Sequence, residues 1–409
     1  MSTTPERERT VNLGAGPSKL STDVVLEASK AFIDYQGLGI GVAELSHRSD
    51  TFKTILANAE NDLRKLLDIP DNYAVLFMQG GGTEQFSSTL LNMLAAHAAK
   101  HGNNSNAGAS APPVDYVVSG AWSKKAVQEA RRLTSRVNVA SDMISMIGDP
   151  NAEIPSPDKW QLSPVDEYPA MLYYCENETI HGFEFPEHWI QRLPQAYRER
   201  VPIVADCSSN ILSRPIDVRA HGVIFFGAQK NVGPSGVTMV IVRRDLIVDP
   251  DALQASYVPP IPATLVYKNM ADNGSLYNTP PTFSIYVSGI GFRKLLLDGG
   301  VPAAQERARI KSELVYKTLD VFPHVYRPTV AHPAFRSKMN LTFRVLDRAS
   351  GEPSPDAEKR LVAFCREHHV VSIQGHRSVG GIRASLYNSV TIEEANKLAS
   401  LLKHFAEVN

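Results

Sequence analysis

Six short, largely apolar runs predict buried strands in the first two thirds of the chain. The runs are Tyr73–Met78, Asp115–Val118, Met171–Tyr174, Pro202–Ala205, Gly222–Phe226 and Val237–Val242. Because apolar residues are continuous in them rather than alternating, both faces of each strand are expected to be covered, as in a parallel sheet. Stretches with helical character, such as Thr83–Ala99 and Ser123–Leu133, lie between several of the runs. This alternation predicts an α/β fold with a mostly parallel central sheet.

The pattern changes near Asp298–Gly300, where a pair of glycines can end one helix before the next begins. The Ala- and charge-rich stretch Val301–Leu319 is typical of a helix, and strand-like runs and two further helices follow it. The strand-like runs are Lys338–Val345, Val370–Ile373 and Ile382–Leu386. We therefore predict a large domain over residues 20–300 and a smaller α+β domain over residues 301–409. The N-terminal segment 1–19 is expected to pack near the smaller domain.

Two local features complete this picture. Thr391 and Glu394 have the spacing of a capping box, in which each side chain bonds an unpaired backbone N–H at the start of the last helix. In contrast, His101–Pro113 (HGNNSNAGASAPP) is rich in Gly, Asn, Ser, Ala and Pro and cannot bury an apolar face. We predict an exposed, mobile loop there and assign it no role.

Composition excludes several classes of protein. The 409 residues exceed the size at which single cores stop growing, and the formal net charge of -1 gives no general attraction for nucleic acid. The longest apolar runs fall far short of the roughly 20 residues of a membrane-spanning helix, and the polar N-terminus lacks the apolar segment of a secretory signal. Cys175, Cys207 and Cys365 are too few and too scattered for a disulfide framework or a zinc site. We expect a cytoplasmic protein without a metal that binds neither nucleic acid nor membrane.

A glycine-rich turn, Gly80-Gly81-Gly82-Thr83, separates the run Tyr73–Met78 from a helical stretch. Such a turn at a helix N-terminus directs backbone N–H groups toward an anion, and the helix dipole adds to the attraction. The turn has neither the Gly-Lys-Ser/Thr of a Walker A motif nor the spacing GxGxxG. An ordinary tight strand–helix turn explains the same residues, so phosphate binding is one of two interpretations here.

Asp206 and Lys230 follow neighbouring predicted strands, and Lys230 comes twenty-four residues after Asp206. Open α/β sheets bind ligands at the carboxyl ends of their strands. Pyridoxal chemistry needs such a pair, because a carboxylate keeps the pyridine nitrogen protonated and a lysine holds the aldehyde as an imine. A lone lysine is more often a solvated surface charge. The turn-rich residues 233–236 after Lys230 nevertheless favour a close approach of the chain to a ligand.

Other candidate residues lie in predicted loops and at strand ends. Trp122 could stack on a planar cofactor, although a buried tryptophan is more often part of the core, and Thr179 could bond a ring oxygen or simply a turn. Two His-Arg pairs and a further arginine could grip a substrate with two anionic groups, since arginine binds carboxylate and phosphate bidentately. They are His47-Arg48, His376-Arg377 and Arg383. Taken singly, each is as well explained by an ordinary surface ion pair.

Longer stretches carry a family resemblance that spacing alone could not supply. They are GLGIGVAELSHRS (37–49), YCENETIHG (174–182), ADCSSNILSRPIDV (205–218), FGAQKNVGPSGVT (226–238), DNGSLYNTPPTF (272–283) and GHRSVGGIRASLYN (375–388). Together, and in this order, they resemble the phosphoserine aminotransferases. The resemblance runs from Asn12–Pro17 almost to the C-terminus.

The resemblance implies a fold-type-I enzyme with pyridoxal 5'-phosphate, a large cofactor domain, a smaller C-terminal domain and a homodimer with shared active sites. The implied reaction moves the amino group of L-glutamate to 3-phosphohydroxypyruvate, giving O-phospho-L-serine and 2-oxoglutarate. It is a ping-pong transamination through pyridoxamine phosphate, in serine biosynthesis.

The resemblance also implies a role for each candidate residue. Lys230 would form the Schiff base, Asp206 would pair with the pyridinium nitrogen, Trp122 would stack on the ring, and Thr179 would reach its phenolic oxygen. The cofactor phosphate would be held by Gly82, Thr83 and Gln229, with Asn278 and Thr279 from the partner subunit. Arg383 would anchor the substrate α-carboxylate, and the distal anion would meet His47, Arg48, His376 and Arg377.

Thr83 departs from some relatives, which have an arginine at its position, so fewer cations face the distal anion here. Two alternatives stay open on the sequence. A cysteine desulfurase-like enzyme shares the fold but needs a thiolate on a mobile loop, whereas the three cysteines lie in predicted core or at a strand end. A catalytically silent scaffold that binds phosphate ligands is the other alternative.

Overall fold

The computed structural model describes residues 3–101, 111–253 and 255–408. The strands are β1 (Val11–Asn12), β2 (Tyr73–Met78), β3 (Val114–Val118), β4 (Val137–Asp142), β5 (Met171–Cys175), β6 (Asn177–Glu178), β7 (Phe183–Glu184), β8 (Ile203–Asp206), β9 (Val223–Gly227), β10 (Thr238–Arg243), β11 (Tyr326–Pro328), β12 (Asn340–Val345), β13 (Val370–Val371) and β14 (Ile382–Ser385). The α-helices are α1 (Pro5–Arg9), α2 (Thr22–Ile33), α3 (Asp50–Leu67), α4 (Gly81–His101), α5 (Ala121–Leu133), α6 (Gln195–Arg200), α7 (Tyr267–Asp272), α8 (Thr282–Leu297), α9 (Gly300–Val321), α10 (Pro355–Glu367) and α11 (Ile392–Val408).

A seven-stranded sheet with the order β2-β10-β9-β8-β5-β3-β4 forms the centre of the molecule. All six predicted runs are strands in it, and the α/β class with a mostly parallel sheet is confirmed. The expected parallel direction of Val237–Val242 is wrong, because β10 pairs antiparallel with both β2 and β9. Only ten residues, 228–237, connect β9 to β10, fewer than the dozen or more that a parallel crossover needs.

The sequence did not indicate β4, which lies at the edge of the sheet beside β3. Three of the six residues in its sequence VNVASD are polar, and most of its side chains are partly exposed. This edge strand therefore lacks the continuous apolar run by which the other strands are predicted.

Alternate residues of each central strand face two separate cores. Along β2, Val75 and Phe77 pack with α3 and α8, whereas Leu76 and Met78 pack with α4, α5 and α7. Helices therefore cover both faces of the sheet, and only the ends of its strands are open to a ligand. Truncation of Leu90, which is fully buried in the second core, would cost about 2–5 kcal/mol of unfolding free energy.

The C-terminal part contains a three-stranded antiparallel sheet, β11-β12-β14, packed with α9, α10 and α11 around a third core. The N-terminal strand β1 pairs in parallel with β13, with Val11 opposite Val370, and Leu13 lies in the same core. The first residues of the chain thus contact its C-terminal part, and a domain boundary near residue 300 stays our prediction.

The predicted capping box is present at the start of α11. The backbone N–H of Thr391 donates to Glu394 at 3.0 Å, and that of Glu394 donates to Oγ1 of Thr391 at 3.2 Å. Most of the predicted loop His101–Pro113 lies outside the described residues. His101 ends α4 and residues 111–113 are buried, so the expected exposure is wrong for that last part. Across residues 3–101, 111–253 and 255–408, every helix is too short or too polar to cross a bilayer.

Candidate active site

The carboxyl ends of four neighbouring strands bring together most of the predicted site residues. Asp206 ends β8, and Lys230 comes three residues after the end of β9. Thr179 follows β5, and Trp122 follows β3. Because these strands are parallel, their ends open on the same edge of the sheet, where α/β proteins bind ligands.

Lys230 and Asp206 form the centre of this site. Nζ of Lys230 donates to Oγ1 of Thr179 at 2.8 Å and lies 5.3 Å from the centroid of the Trp122 ring. Desolvation lowers the pKa of Lys230, and the negative charge of Asp206 partly opposes that shift. A lysine with a lowered pKa is more often the free amine, which is the form that attacks a carbonyl carbon.

The carboxyl of Asp206 is buried, with 5% of the residue exposed, and its pKa is raised by desolvation. The charge of Lys230 and bonds from Ser208 oppose that shift. Oδ1 accepts the hydroxyl of Ser208 at 2.6 Å and its N–H at 3.0 Å. Ser208 also accepts the N–H of Gly227 at 3.3 Å and so ties the end of β8 to the end of β9. Ser208 was not among the residues predicted from the sequence, although it lies only two residues after Asp206.

The glycine-rich turn leads from β2 into α4 beside Asp206. Gly80 and Gly81 adopt the left-handed region with φ of 84° and 69°, which favours glycine. A Cβ on Gly82 would lie 3.4 Å from Oγ of Ser208 and 3.8 Å from Oδ2 of Asp206. The N-terminus of α4, with its unpaired N–H groups, therefore opens next to the buried carboxyl and offers a place for an anion.

Trp122 is held in the first turn of α5 by Glu178, which sequence reasoning also missed. The buried carboxylate of Glu178 accepts the N–H of Trp122 at 3.0 Å, the N–H of Ser123 at 2.8 Å and the hydroxyl of Ser123 at 2.6 Å. Desolvation raises the pKa of Glu178, and these bonds counteract the shift. A Cβ on Gly120 would lie 2.5 Å from Cδ of Glu178, so a larger residue before the helix would displace this carboxylate.

The C-terminal part supplies Arg383 from β14. Nη1 of Arg383 donates to the backbone oxygen of Thr179 at 3.4 Å, next to the hydroxyl that Lys230 contacts. His376 and Arg377 lie in the segment between β13 and β14, where Nδ1 of His376 contacts Oγ of Ser378 at 2.7 Å. Partial burial lowers the pKa of His376, and the charges of Arg383, Lys125 and Arg377 lower it further.

The N-terminal segment closes one side of the site. A Cβ on Gly16 would lie 3.1 Å from Cγ of Lys230, and Gly16 has a φ of 131° that glycine tolerates. The backbone N–H of Ser18 donates to the oxygen of Gln229 at 2.9 Å, and the hydroxyl of Ser18 donates to the oxygen of Lys230. The stretch 12–17 that carries part of the resemblance therefore packs directly on the lysine.

Four predicted residues are not joined to this centre within the described part of one chain. No hydrogen bond there links His47, Arg48, Asn278 or Thr279 to Lys230. His47 and Arg48 precede α3, where Arg48 is exposed, and Asn278 and Thr279 precede α8. The oxygen of Thr279 accepts Nε2 of Gln79 at 3.2 Å, which brings its backbone near the glycine-rich turn.

Comparison with known proteins gives the family. The family model described as aminotransferase class-V matches residues 10–398. A putative phosphoserine aminotransferase of Schizosaccharomyces pombe is 44% identical over 405 residues, covering 98% of this chain and 99% of the relative. This chain belongs to the phosphoserine aminotransferase family. Another member of the family, from Ectopseudomonas mendocina, is 41% identical, covering 97% of this chain and 98% of the relative.

Solved structures from the same family share the fold. The phosphoserine aminotransferase from Bacillus circulans subsp. alkalophilus superimposes with a TM-score of 0.83 at 35% identity, covering 98% of this chain and 99% of that one. A pyridoxal-phosphate-bound phosphoserine aminotransferase from Trichomonas vaginalis gives 0.82 at 33% identity, covering 97% and 100%. The fold-type-I class and the family that the sequence indicated are confirmed.

The cysteine desulfurase alternative gains no support from the site. Cys175, Cys207 and Cys365 are 3%, 1% and 0% exposed. Burial raises the pKa of each thiol, so none is available as a thiolate on a mobile loop.

Proposed function

We propose that this protein is a pyridoxal-phosphate-dependent phosphoserine aminotransferase. It moves the amino group of L-glutamate to 3-phosphohydroxypyruvate, giving O-phospho-L-serine and 2-oxoglutarate in two half-reactions. The single observation that carries the proposal is the pair of Lys230 and buried Asp206 at neighbouring strand ends, with the lysine amine bonded to Thr179. Membership of the phosphoserine aminotransferase family supports the choice of substrates.

The residues of the site fit pyridoxal 5'-phosphate. Asp206 offers a buried carboxyl for the pyridine nitrogen, and Trp122 offers an aromatic ring beside the lysine. Gly82, Thr83 and Gln229 would hold the phosphate at the start of α4, where Gly82 leaves room that a Cβ would fill. When bound, the cofactor supplies an aldehyde that forms an imine and a ring that accepts an electron pair from the substrate Cα.

Lys230 has two tasks in this proposal. Its amine would hold the cofactor between turnovers. Once displaced by the substrate amine, it would remove the proton from the substrate Cα and return it to the carbon on the other side of the imine nitrogen, the former aldehyde carbon. The lowered pKa of Lys230 favours the free base that this step requires. The hydroxyl of Thr179, 2.8 Å from Nζ, orients the amine toward the site.

Anionic groups of the substrate would meet the cations from the C-terminal part. Arg383, which the backbone oxygen of Thr179 positions beside Lys230, is suited to the α-carboxylate through two parallel hydrogen bonds. His376 and Arg377 would bind the distal group, together with His47 and Arg48. That group is a carboxylate in glutamate and a phosphate in the keto acid, and arginine can bind both.

We infer that the protein works as a homodimer. Phe32, Ile33, Leu38 and Ile40 are exposed apolar residues at the end of α2 and in the turn that follows. The Phe32 ring contacts Phe283, which follows the segment with Asn278 and Thr279. An exposed apolar patch of this kind is typical of an interface. Pairing through it would bring Asn278 and Thr279 to the phosphate of the partner's site.

Absorbance and a coupled assay test the proposed function. Wild-type protein that is loaded with pyridoxal phosphate and then dialysed is expected to retain visible absorbance and to form phosphoserine from glutamate and 3-phosphohydroxypyruvate. Lys230→Ala should lose both properties, because no amine remains to hold the aldehyde or move the proton. Lys268→Ala, which removes a surface lysine paired with Asp272, is the matched control and should retain both.

The outcomes separate the parts of the proposal. Activity with ordinary keto acids, and none with the phosphorylated one, would refute the substrate assignment and keep the cofactor. A wild-type protein that is colourless after loading with pyridoxal phosphate and dialysis would refute both and favour the silent scaffold.

A further inference from the structure

Lys125 is a cation beside the site to which the family resemblance assigned no role. It lies three residues after Trp122 on α5, a spacing that puts two side chains on the same helix face. Its Nζ is 4.4 Å from the centroid of the Trp122 ring, and Nζ of Lys230 is 5.3 Å from the same centroid. The side-chain nitrogens of both lysines therefore lie near one aromatic ring, that of Lys125 from the helix surface and that of Lys230 from the floor of the site.

No carboxylate neutralises Lys125 within the described part of the chain. The acid one helical turn further on, Glu129, is engaged elsewhere. Its Oε1 accepts the hydroxyl of Ser87 at 2.8 Å, and its Oε2 is paired with Arg132 at 2.5 Å. Among residues 3–101, 111–253 and 255–408, the close partner of the ammonium is the face of Trp122. An exposed lysine that stacks on an aromatic ring keeps its full charge for another partner.

Lys125 also faces the cations that come from the C-terminal part. The positive charges of Lys125, Arg383 and Arg377 all lower the pKa of His376. No acidic residue is among the charges that act on His376. Thr83, at the start of α4, adds a hydroxyl and no charge. Like charges that converge without a counterion repel one another, and the repulsion is relieved when an anion binds among them.

We propose that Lys125 is a substrate-recognition residue that binds the distal anionic group of the substrate at the edge of Trp122. This inference rests on the proposed function and deepens it. A lysine is a compact point charge, so its attraction grows with the charge of its partner. A phosphate carries more negative charge than a carboxylate at neutral pH, so Lys125 favours the phosphorylated keto acid over glutamate.

The test compares Lys125→Met with Lys124→Met. Methionine keeps the length and apolar character of the side chain. Lys124 is the neighbouring exposed residue, so its replacement changes the net charge equally without removing the contact with Trp122. We expect Lys125→Met to lower kcat/KM for 3-phosphohydroxypyruvate on the order of tenfold, mainly through KM, and that for glutamate by about threefold or less. Lys124→Met should stay within about twofold for both, and Lys125→Arg should recover most of the loss.

The results distinguish this inference from the proposed function. A wild type without turnover of 3-phosphohydroxypyruvate would refute the proposed function itself. An active wild type with equal behaviour of Lys125→Met and Lys124→Met would refute the role of Lys125. Equal losses with both substrates, or a loss of visible absorbance after dialysis, would also refute it, because Lys125 would then act by positioning Trp122.

Discussion

The carboxylate of Glu178 accepts the backbone N–H of Trp122 at 3.0 Å and so joins β6 to the first turn of α5. It satisfies two backbone donors and one hydroxyl in a place that water does not reach. We predict that Glu178→Ala lowers the unfolding free energy by about 1–3 kcal/mol and weakens cofactor binding, because Trp122 loses its anchor. Thermal denaturation and titration with pyridoxal phosphate measure the two effects.

Ser354→Ala is the control for Glu178→Ala, since the hydroxyl of Ser354 caps the start of α10 and has no contact with the site. It should lower stability and leave the affinity for the cofactor unchanged. Equal cofactor affinity in both variants would contradict a role of Glu178 in holding Trp122.

Ser208→Ala should reduce turnover without unfolding the protein. The hydroxyl donates to Asp206 at 2.6 Å, and its loss leaves the carboxylate with one donor fewer and a pKa raised further. A carboxyl that is more easily protonated pairs less well with a pyridinium, so we expect kcat to fall about tenfold and the pH profile to move upward. Ser213→Ala removes a buried hydroxyl that donates to the backbone oxygen of Asn210, and it should leave the pH profile of kcat unchanged.

Lys311 is a buried lysine whose replacement should be costly. Its Nζ donates to the backbone oxygens of Leu386, Tyr387 and Val390 at 2.9, 2.7 and 2.9 Å, in the loop that follows β14. Lys311→Met would leave these acceptors without a donor, and we predict a loss of about 2–4 kcal/mol in chemical denaturation. Lys317→Met, on the exposed side of the same helix, should cost less than about 1 kcal/mol.

His97 should make stability depend on pH in the acid range. Burial and the neighbouring charge of His101 lower the pKa of His97 from 6.5 to about 4. Between these values the unfolded chain binds a proton that the folded chain does not, so stability falls as pH drops through 6.5 toward 4. Because the ring is partly exposed, the loss is about 1–2 kcal/mol.

Denaturation of wild type and His97→Phe at several pH values measures this effect of His97. His97→Phe keeps an aromatic ring and should lose the part of the pH dependence of stability that His97 causes. If the unfolding free energy of His97→Phe depends on pH as that of wild type does, other groups cause the dependence.

Ile33→Asp should break the proposed dimer. Ile33 is 61% exposed in one chain, and a charge in an apolar interface has no partner there. Sedimentation is expected to give a monomer with little aminotransferase activity, since Asn278 and Thr279 would no longer reach the partner's site. Val321→Asp, at an equally exposed apolar residue at the end of α9, should stay dimeric and active.

The parts of the site that lie just after buried strands could be predicted from the sequence. Lys230 and Asp206 follow continuous apolar runs, and the rule that ligands bind at strand ends placed them together. Glu178 could not be found in this way, because its partners lie in α5, 55 and 56 residues earlier in the chain. Arg383 meets Thr179 across 204 residues, and nothing in local sequence encodes that contact.

The direction of β10 shows a similar limit. Its composition is that of a buried strand, which is correct, but direction depends on the length of the connection before it. The connection between β9 and β10 has only ten residues, and this short length favours an antiparallel pair of strands.

The pairing of β1 with β13 has a consequence for synthesis on the ribosome. Gly16 and Ser18 close over Lys230, yet the strand just before them finds its partner only at Val370–Val371. A nascent chain can therefore form the central sheet while its own beginning is still unattached. Arg383 follows the end of β13 by twelve residues, so the last predicted residue of the site arrives only near the end of translation.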